Sequence, residues 1–358
     1  MESKDCQANR LDNTADSVMS RYVRISIGNK SMIRSMLSWF VLIVLLTAPP
    51  PADSQQPTRI LRIGYLSGTS LSANSARTDA FRQGLRERGY VEGKDIVIDW
   101  RSAEGKADRL PALAGELVRL KVDVIVSGGP TSNRAAKEAT VTIPIVMGFD
   151  NDPVGNGLIV SLARPGGNVT GLSTLAPEIS AKQLELLKEI LPALSRVAVL
   201  GSSINPGNTQ SLKEIELAAA ALGLKVEYLD VLDAKNIGAV FRGAGNARAG
   251  ALLVLASSIF NSNRKQIVEL ALKNRLPAIY PYPAFVYDHG LMTYSVNLPD
   301  LFRRAAAYVD KILKGTKPAD LPVEQPIKFE FIVNLKAAKQ IGLTIPPNVL
   351  VRADKVIK

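Results

Sequence analysis

The stretch from Val122 to Gly155, VDVIVSGGPTSNRAAKEATVTIPIVMGFDNDPVG, constrains the fold more than any other part of the chain. Val122 to Val126 is a short apolar, β-branched run closed by Gly-Gly-Pro, the pattern of a buried strand in a parallel sheet. A helix is predicted to follow at once, capped by Thr131 or Ser132 and packed through the small residues Ala135, Ala136 and Ala139. Ile143 to Met147 then returns as a second buried strand, which makes a βαβ unit. In such a sheet ligands bind beyond the carboxyl ends of the strands, where Ser127–Thr131 and Phe149–Pro153 must lie. Gly128 and Gly129 allow a ligand to approach the backbone, and the N–H groups of Thr131 to Asn133 favour an anion such as a carboxylate. Asp152 supplies the opposite charge, so the two loops fit the ends of a zwitterion such as an amino acid. The competing reading makes the glycines a turn and Asp152 only its cap.

The same alternation runs through most of the chain. Ile60–Leu66 is a strand with a polar loop, Ser67 to Ser75, at its carboxyl end; a helix follows from Arg77 to Arg88, then a strand from Ile96 to Trp100 and an amphipathic helix from Lys106 to Leu120. After the loop SLARPGGNVTGLS (Ser161 to Ser173) a second series begins, with Ser180 and Gln183 read as a capping box. Strands are predicted at Val197–Leu200, Val226–Leu229, Ala251–Leu255 and Ala278–Tyr280, with helices between them. The expected fold is therefore α/β, with two doubly wound parallel-sheet lobes and a ligand cleft between them. In the second series the strand ends carry Ser202, Ser203 and Asn205, then Ser257 and Ser258, then Tyr280 and Tyr282: polar and aromatic groups suited to recognising a small solute rather than to catalysis. For any one of these Ser or Asn residues, capping of the next helix is the competing role.

With 358 residues and 46% hydrophobic content, the chain favours two domains. Its formal charge of +11 does not indicate a nucleic-acid partner, because the basic residues are interspersed with acidic ones, as in RQGLRERG. Met36–Ala48 is the one strongly apolar run. It follows Lys30 and Arg34, precedes a polar Pro-rich segment and is too short to span a bilayer comfortably, so residues 1–58 read as a secretory leader and linker. Translation is expected to start at Met32 or Met36 and cleavage to follow Ala52, giving a periplasmic protein; an uncleaved signal anchor is the alternative. Cys6, the only cysteine, lies in that leader, so the exported chain has neither a disulfide nor a lipid-bearing cysteine.

The sequence contains no HExxH, CxxC, Walker A, dinucleotide GxGxxG or GxSxG pattern, so no cofactor, metal or nucleophile chemistry is expected. SNRK (Ser262–Lys265) fits SxxK but lacks its companion motifs, and His289 reads as a turn residue.

AFRQGLRERGYVEGKDI, LPALAGELVRLKVDVIV, SLARPGGNVTGLS, LPDLFRRAAAYVDKILKGTKPADLPVEQP and LTIPPNVLVRADKVI together resemble the solute-binding proteins of ABC transporters, in particular the tryptophan/tyrosine-type family. The resemblance covers about Arg59 to Lys358. It implies a type I periplasmic-binding fold, with a first lobe of 59–172 plus 297–325 and a second of 173–296 plus 326–358, crossing near Leu172, Asn297 and Gln325. It implies ligand contacts at Ser67, Ser70, Gly129, Pro130, Thr131 and Asp152 in the first lobe and at Ser203, Ser257 and Tyr282 in the second; the strand-end reading adds Asn205 and Tyr280. The implied partners are a small solute and the membrane subunits of a permease, with the receptor itself a monomer. YPYPAFVYDHG (Tyr280–Gly290) departs from the family, which commonly has charged residues at Pro283 and Ala284 and Gly-Gly at His289 and Gly290, so the ligand is open. A sensor core of the same fold is the alternative function, and it would need a DNA-binding element before Ile60, where the apolar leader stands instead.

Overall fold

A computed structural model describes residues 59–246 and 248–358. The predicted leader, its expected cleavage site and Cys6 lie outside the described residues.

The first sheet holds β1 (Leu61–Ser67), β2 (Ile96–Ser102), β3 (Val124–Ser127), β4 (Ile145–Asp150) and β5 (Val169–Ser173) in the order β2-β1-β3-β4-β5, and every paired neighbour is parallel. The alternation of side chains along each strand divides its core in two. Ile63, Tyr65, Val124, Val126 and Val146 face a cluster with Phe81, Leu85, Leu301, Phe302 and Ala305, contributed by the helices Ser75–Arg86 and Leu298–Leu313. Leu66, Ile125, Ile145 and Met147 face the opposite way, onto Leu110, Leu113, Leu117, Ala135 and Ala136 of the helices Leu110–Arg119 and Pro130–Ala139. Two glycines set the first packing. A Cβ at Gly84 would overlap the Arg303 carbonyl, and one at Gly148 would overlap the Phe302 ring.

The second sheet holds β6 (Arg196–Gly201), β7 (Lys225–Asp230), β8 (Ala251–Val254), β9 (Ala278–Tyr280), β10 (Met292–Val296), β11 (Phe329–Asn334) and β12 (Lys355–Ile357), ordered β12-β11-β10-β9-β8-β6-β7. Two of these strands, β10 and β12, escape the sequence reading. The sheet is also not purely parallel: β10 and β11 run antiparallel, because β11 enters from the other lobe instead of through a crossover helix.

The chain passes between the sheets at three places that lie side by side. It leaves β5 where Ser173 N donates to Glu324 O at 2.9 Å, and Glu324 N donates to Gly171 O at 3.1 Å. It returns at Asn297, whose side chain caps the helix Leu298–Leu313 by accepting from Asp300 N at 2.8 Å, and whose N–H donates to Lys328 O on the last passage, toward β11.

The expected capping box at Ser180 and Gln183 is corrected by the structure. The helix starts earlier, at Ala176–Ile190, with Pro177 in its first turn and Leu175 before it at φ 55°. Ser180 therefore lies inside the helix and donates to the Ala176 carbonyl at 2.7 Å. Gln183 is buried and reaches the Tyr294 carbonyl at 2.8 Å, tying the helix to the second sheet.

Candidate functional site

Each strand-end loop of the first sheet is shaped by short-range polar contacts. After β3, Gly129 adopts φ 133°, a value that favours glycine, and a Cβ there would meet the Phe149 ring at 3.0 Å. Pro130 occupies the first turn of the following helix, so the cap expected from Thr131 or Ser132 is not formed. Asn133 takes over the anchoring: its amide donates to the Phe149 carbonyl at 3.0 Å and to the Asp150 carboxylate at 2.6 Å, while its carbonyl oxygen accepts from Ser127 Oγ.

Asp150 is fully buried at the end of β4. Besides Asn133, its carboxylate accepts from Asn156 Nδ2 at 2.7 Å and from Asp152 N at 3.0 Å. Burial dominates its titration and pushes it up from 3.8 to about 6; the three donors pull it back and the Asp152 charge raises it further.

Between the lobes lies a narrow cavity of about 20 Å³. Thr69, Arg77, Gly129, Pro130, Phe149 and Asn151 reach it from the first lobe, and Asn205, Ser257, Ser258, Asn261 and Tyr282 from the second. The lobes also touch directly. Thr131 Oγ1 donates to Asn205 Oδ1 at 3.2 Å, Asn261 Nδ2 donates to Asn74 Oδ1 at 3.4 Å, and the Phe149 and Tyr282 rings meet edge to face at 6.5 Å. The conformation is thus a closed one.

Arg77 stands out in this cavity. Its side chain is half-buried overall, but the guanidinium end is enclosed, 4.9 Å from the Tyr282 ring centre and 5.7 Å from that of Phe149. It makes no hydrogen bond or ion pair with any described residue. Burial is the main influence on it and lowers its pKa; the Tyr282 and Tyr65 hydroxyls oppose this, and Arg264 adds to it.

Of the residues singled out from sequence, Gly128, Gly129, Pro130, Asn205, Ser257, Ser258 and Tyr282 come together on the cavity wall, with Thr131 joined to Asn205. The structure places the others elsewhere, for local reasons. Ser67 is buried behind Thr69, donating to its carbonyl at 2.8 Å. Ser70 accepts from Ala73 N in the next turn. Asp152 accepts from Gly155 N at 2.9 Å, closing its own turn, and borders a separate groove with Gln210 and Lys213. Ser203 is exposed and donates to Asp230 through both N and Oγ, at 2.8 and 2.7 Å. Tyr280 stacks on Phe285 at 5.1 Å inside the second lobe's core. His289 is exposed at φ 76°, in a turn.

Sequence reasoning missed Arg77, Thr69, Asn151 and Asn261. For Arg77 a signal existed: it lies in the first turn of the helix after β1, at the sheet end where ligands bind. Among the described residues no group of three or more His, Cys, Asp or Glu side chains is arranged to hold a metal ion, and no helix is long and apolar enough to cross a membrane.

The model of a family described as "ABC transporter substrate binding protein" matches residues 64–357. The chain is 25% identical over 263 residues to a "Tyrosine-binding protein" of Clostridioides difficile, covering 74% of this chain and 75% of that protein. Among solved structures it is similar to an ABC domain in complex with L-Trp from Streptococcus pneumonia, at 28% identity and a TM-score of 0.78, covering 83% of this chain and all of that one. It is also similar to a ligand-free, open substrate binding protein with adhesive properties from Clostridium difficile, at 25% identity and a TM-score of 0.61, covering 84% of this chain and 99% of that one. The fold is accordingly the type I periplasmic-binding arrangement of two α/β lobes.

Proposed function

The chain belongs to the ABC transporter substrate-binding protein family, a family of binding proteins rather than enzymes, and from that premise we propose that it is the solute receptor of an ABC importer. It captures a small polar solute bearing an aromatic group, an amino acid or a related carboxylate, between its lobes and delivers it to the membrane subunits of a permease. The observation that carries this reading is the cavity where both lobes converge, with Phe149 and Tyr282 meeting across it and hydroxyl and amide groups of Thr69, Asn205, Ser257 and Asn261 around them. The L-Trp complex and the tyrosine-binding relative support the solute class.

In this reading the lobes are 59–172 plus 297–325 and 173–296 plus 326–358, and the passages near Leu172, Asn297 and Gln325 serve as hinges. Closure confines its dihedral changes to such connecting residues. The mature receptor acts outside the cytoplasmic membrane as a monomer, after export by its leader.

A thermal-shift screen of ligand-stripped protein against amino acids, aromatic acids and small sugars tests the receptor reading. A solute at 100 times its dissociation constant stabilises the fold by about 2.7 kcal/mol. Absence of any stabilising solute in a broad library would count against a receptor.

A further inference from the structure

We propose that the solute is an aromatic monocarboxylate without an ammonium group, an aryl-acetate, arylpropionate or benzoate, whose carboxylate pairs with the Arg77 guanidinium. This rests on the receptor reading above and narrows its ligand.

Charge balance in an enclosed space selects this class of solute. Arg77 brings a full positive charge to the cavity, placed over the Tyr282 and Phe149 rings and with no anionic partner among the described residues. A buried charge of this kind requires a counter-charge, and a planar, five-donor guanidinium matches a carboxylate in two parallel hydrogen bonds. No Asp or Glu lines the cavity. The carboxylates on the bordering loops are engaged elsewhere. Asp150 accepts from Asn133, Asn156 and the Asp152 backbone, Asp152 from Gly155 N, and Glu104 from Ser102 Oγ at 2.6 Å. Asp288 pairs with Arg264 at 2.6 Å. A monocarboxylate therefore brings the closed site to neutrality. A zwitterion brings an ammonium as well and leaves one positive charge uncompensated, with only neutral amides and hydroxyls to receive it. The rings of Phe149 and Tyr282, inclined at 74°, offer an apolar face and edge to a planar group attached to the carboxylate.

The test is calorimetric titration of ligand-stripped full chain with matched sets sharing one ring: 3-phenylpropionate, L-phenylalanine and phenethylamine, then 4-hydroxyphenylacetate, L-tyrosine and tyramine, with benzoate and indole-3-acetate added. At least one acid is expected to bind tenfold or more tighter than its amino-acid counterpart, and the amines not at all. Arg77→Gln is expected to weaken that acid about tenfold to a hundredfold, the range for a hydrogen-bonded charge pair, and Arg77→Lys to fall between. An amino acid binding as tightly as its desamino counterpart overturns the inference and leaves the receptor reading intact. So does unaltered acid binding by either Arg77 variant, or a panel in which no acid binds while another solute stabilises the fold. Failure of every solute in a broad library removes the receptor reading itself. If Arg77→Gln does not fold, the wild-type selectivity between acid and amino acid still decides the matter.

Discussion

Asp150 and Arg77 are neighbours of one residue, Phe149, yet the fold treats their charges in opposite ways. Asp150 follows Phe149 in β4 and is buried beneath three donors, at 2.6, 2.7 and 3.0 Å. Arg77 lies 5.7 Å from the Phe149 ring and has no protein counter-charge. A charge whose hydrogen-bonding capacity is filled by its own chain holds structure together; one left open in a cavity awaits something from outside. The difference separates scaffold from binding group more sharply than residue type does. On residue type alone Asp152 is as good a candidate as Arg77, but it closes its own turn.

The largest expected departure from this contrast comes from emptying the scaffold side. Asp150→Ala orphans the donors of Asn133, Asn156 and Asp152 and should cost about 2 to 3 kcal/mol of stability. Denaturant unfolding measures it, and affinity in the remaining folded protein should stay within about threefold.

Next in size is a pH effect. The folded Asp150 carboxyl titrates near 6 and its ordinary value is 3.8, so between those values the folded state holds a proton that the unfolded chain has released. Its contribution to stability therefore falls as pH rises through that window, worth roughly 1 kcal/mol between pH 5 and pH 7. Comparing wild type with Asp150→Asn by chemical unfolding at both pH values isolates it. The wild type should gain relative to the variant on acidification, and the absence of any relative gain would show that the carboxylate stays ionised over this range.

Much of the scaffold was legible because a buried parallel strand needs a short β-branched run, as in VDVIV and ALLVL. β10 was not. MTYSV carries Thr293 and Ser295 among its apolar residues and reads as a loop; it becomes a strand because β9 and β11 lie on either side of it and Thr293 Oγ1 finds the Tyr280 carbonyl at 2.7 Å. The loops of the cleft were legible from strand ends, but the roles within them were not. Tyr280 and Tyr282 are indistinguishable in sequence; Tyr280 ends β9 and stacks on Phe285 in the core, whereas Tyr282 stands beyond the strand, just before the helix Pro283–Tyr287, and reaches the cleft. Arg77 was hidden differently. It stands in the polar run SARTD, where a cation reads as a solvated helix face until the helix start is placed against the second lobe.

A smaller effect sharpens the binding side of the comparison. Arg77→Gln removes a charge that no described residue partners, so unfolding of the ligand-free variant should differ from wild type by no more than about 0.5 kcal/mol, despite the affinity lost. Destabilisation of several kcal/mol would make Arg77 scaffold like Asp150. The smallest effect is expected at Asp152, since Asn closes the same turn by accepting from Gly155 N. Asp152→Asn should bind any ligand within about twofold of wild type in the same titration, and a tenfold loss would return Asp152 to the site.

The contacts of Asn205 with Thr131, Asn261 with Asn74 and Tyr282 with Phe149 hold the two lobes together, and a receptor that traps its solute by closing must break them when the solute leaves. Small-angle X-ray scattering on the ligand-stripped protein, repeated at saturation with the tightest solute from the screen, tests it most directly. The radius of gyration is expected to be larger without ligand and to fall, at saturation, to the value calculated for residues 59–358 in a protein produced from Arg59 onward. An identical radius in both states would contradict closure and leave the cleft a rigid interface between two fixed lobes.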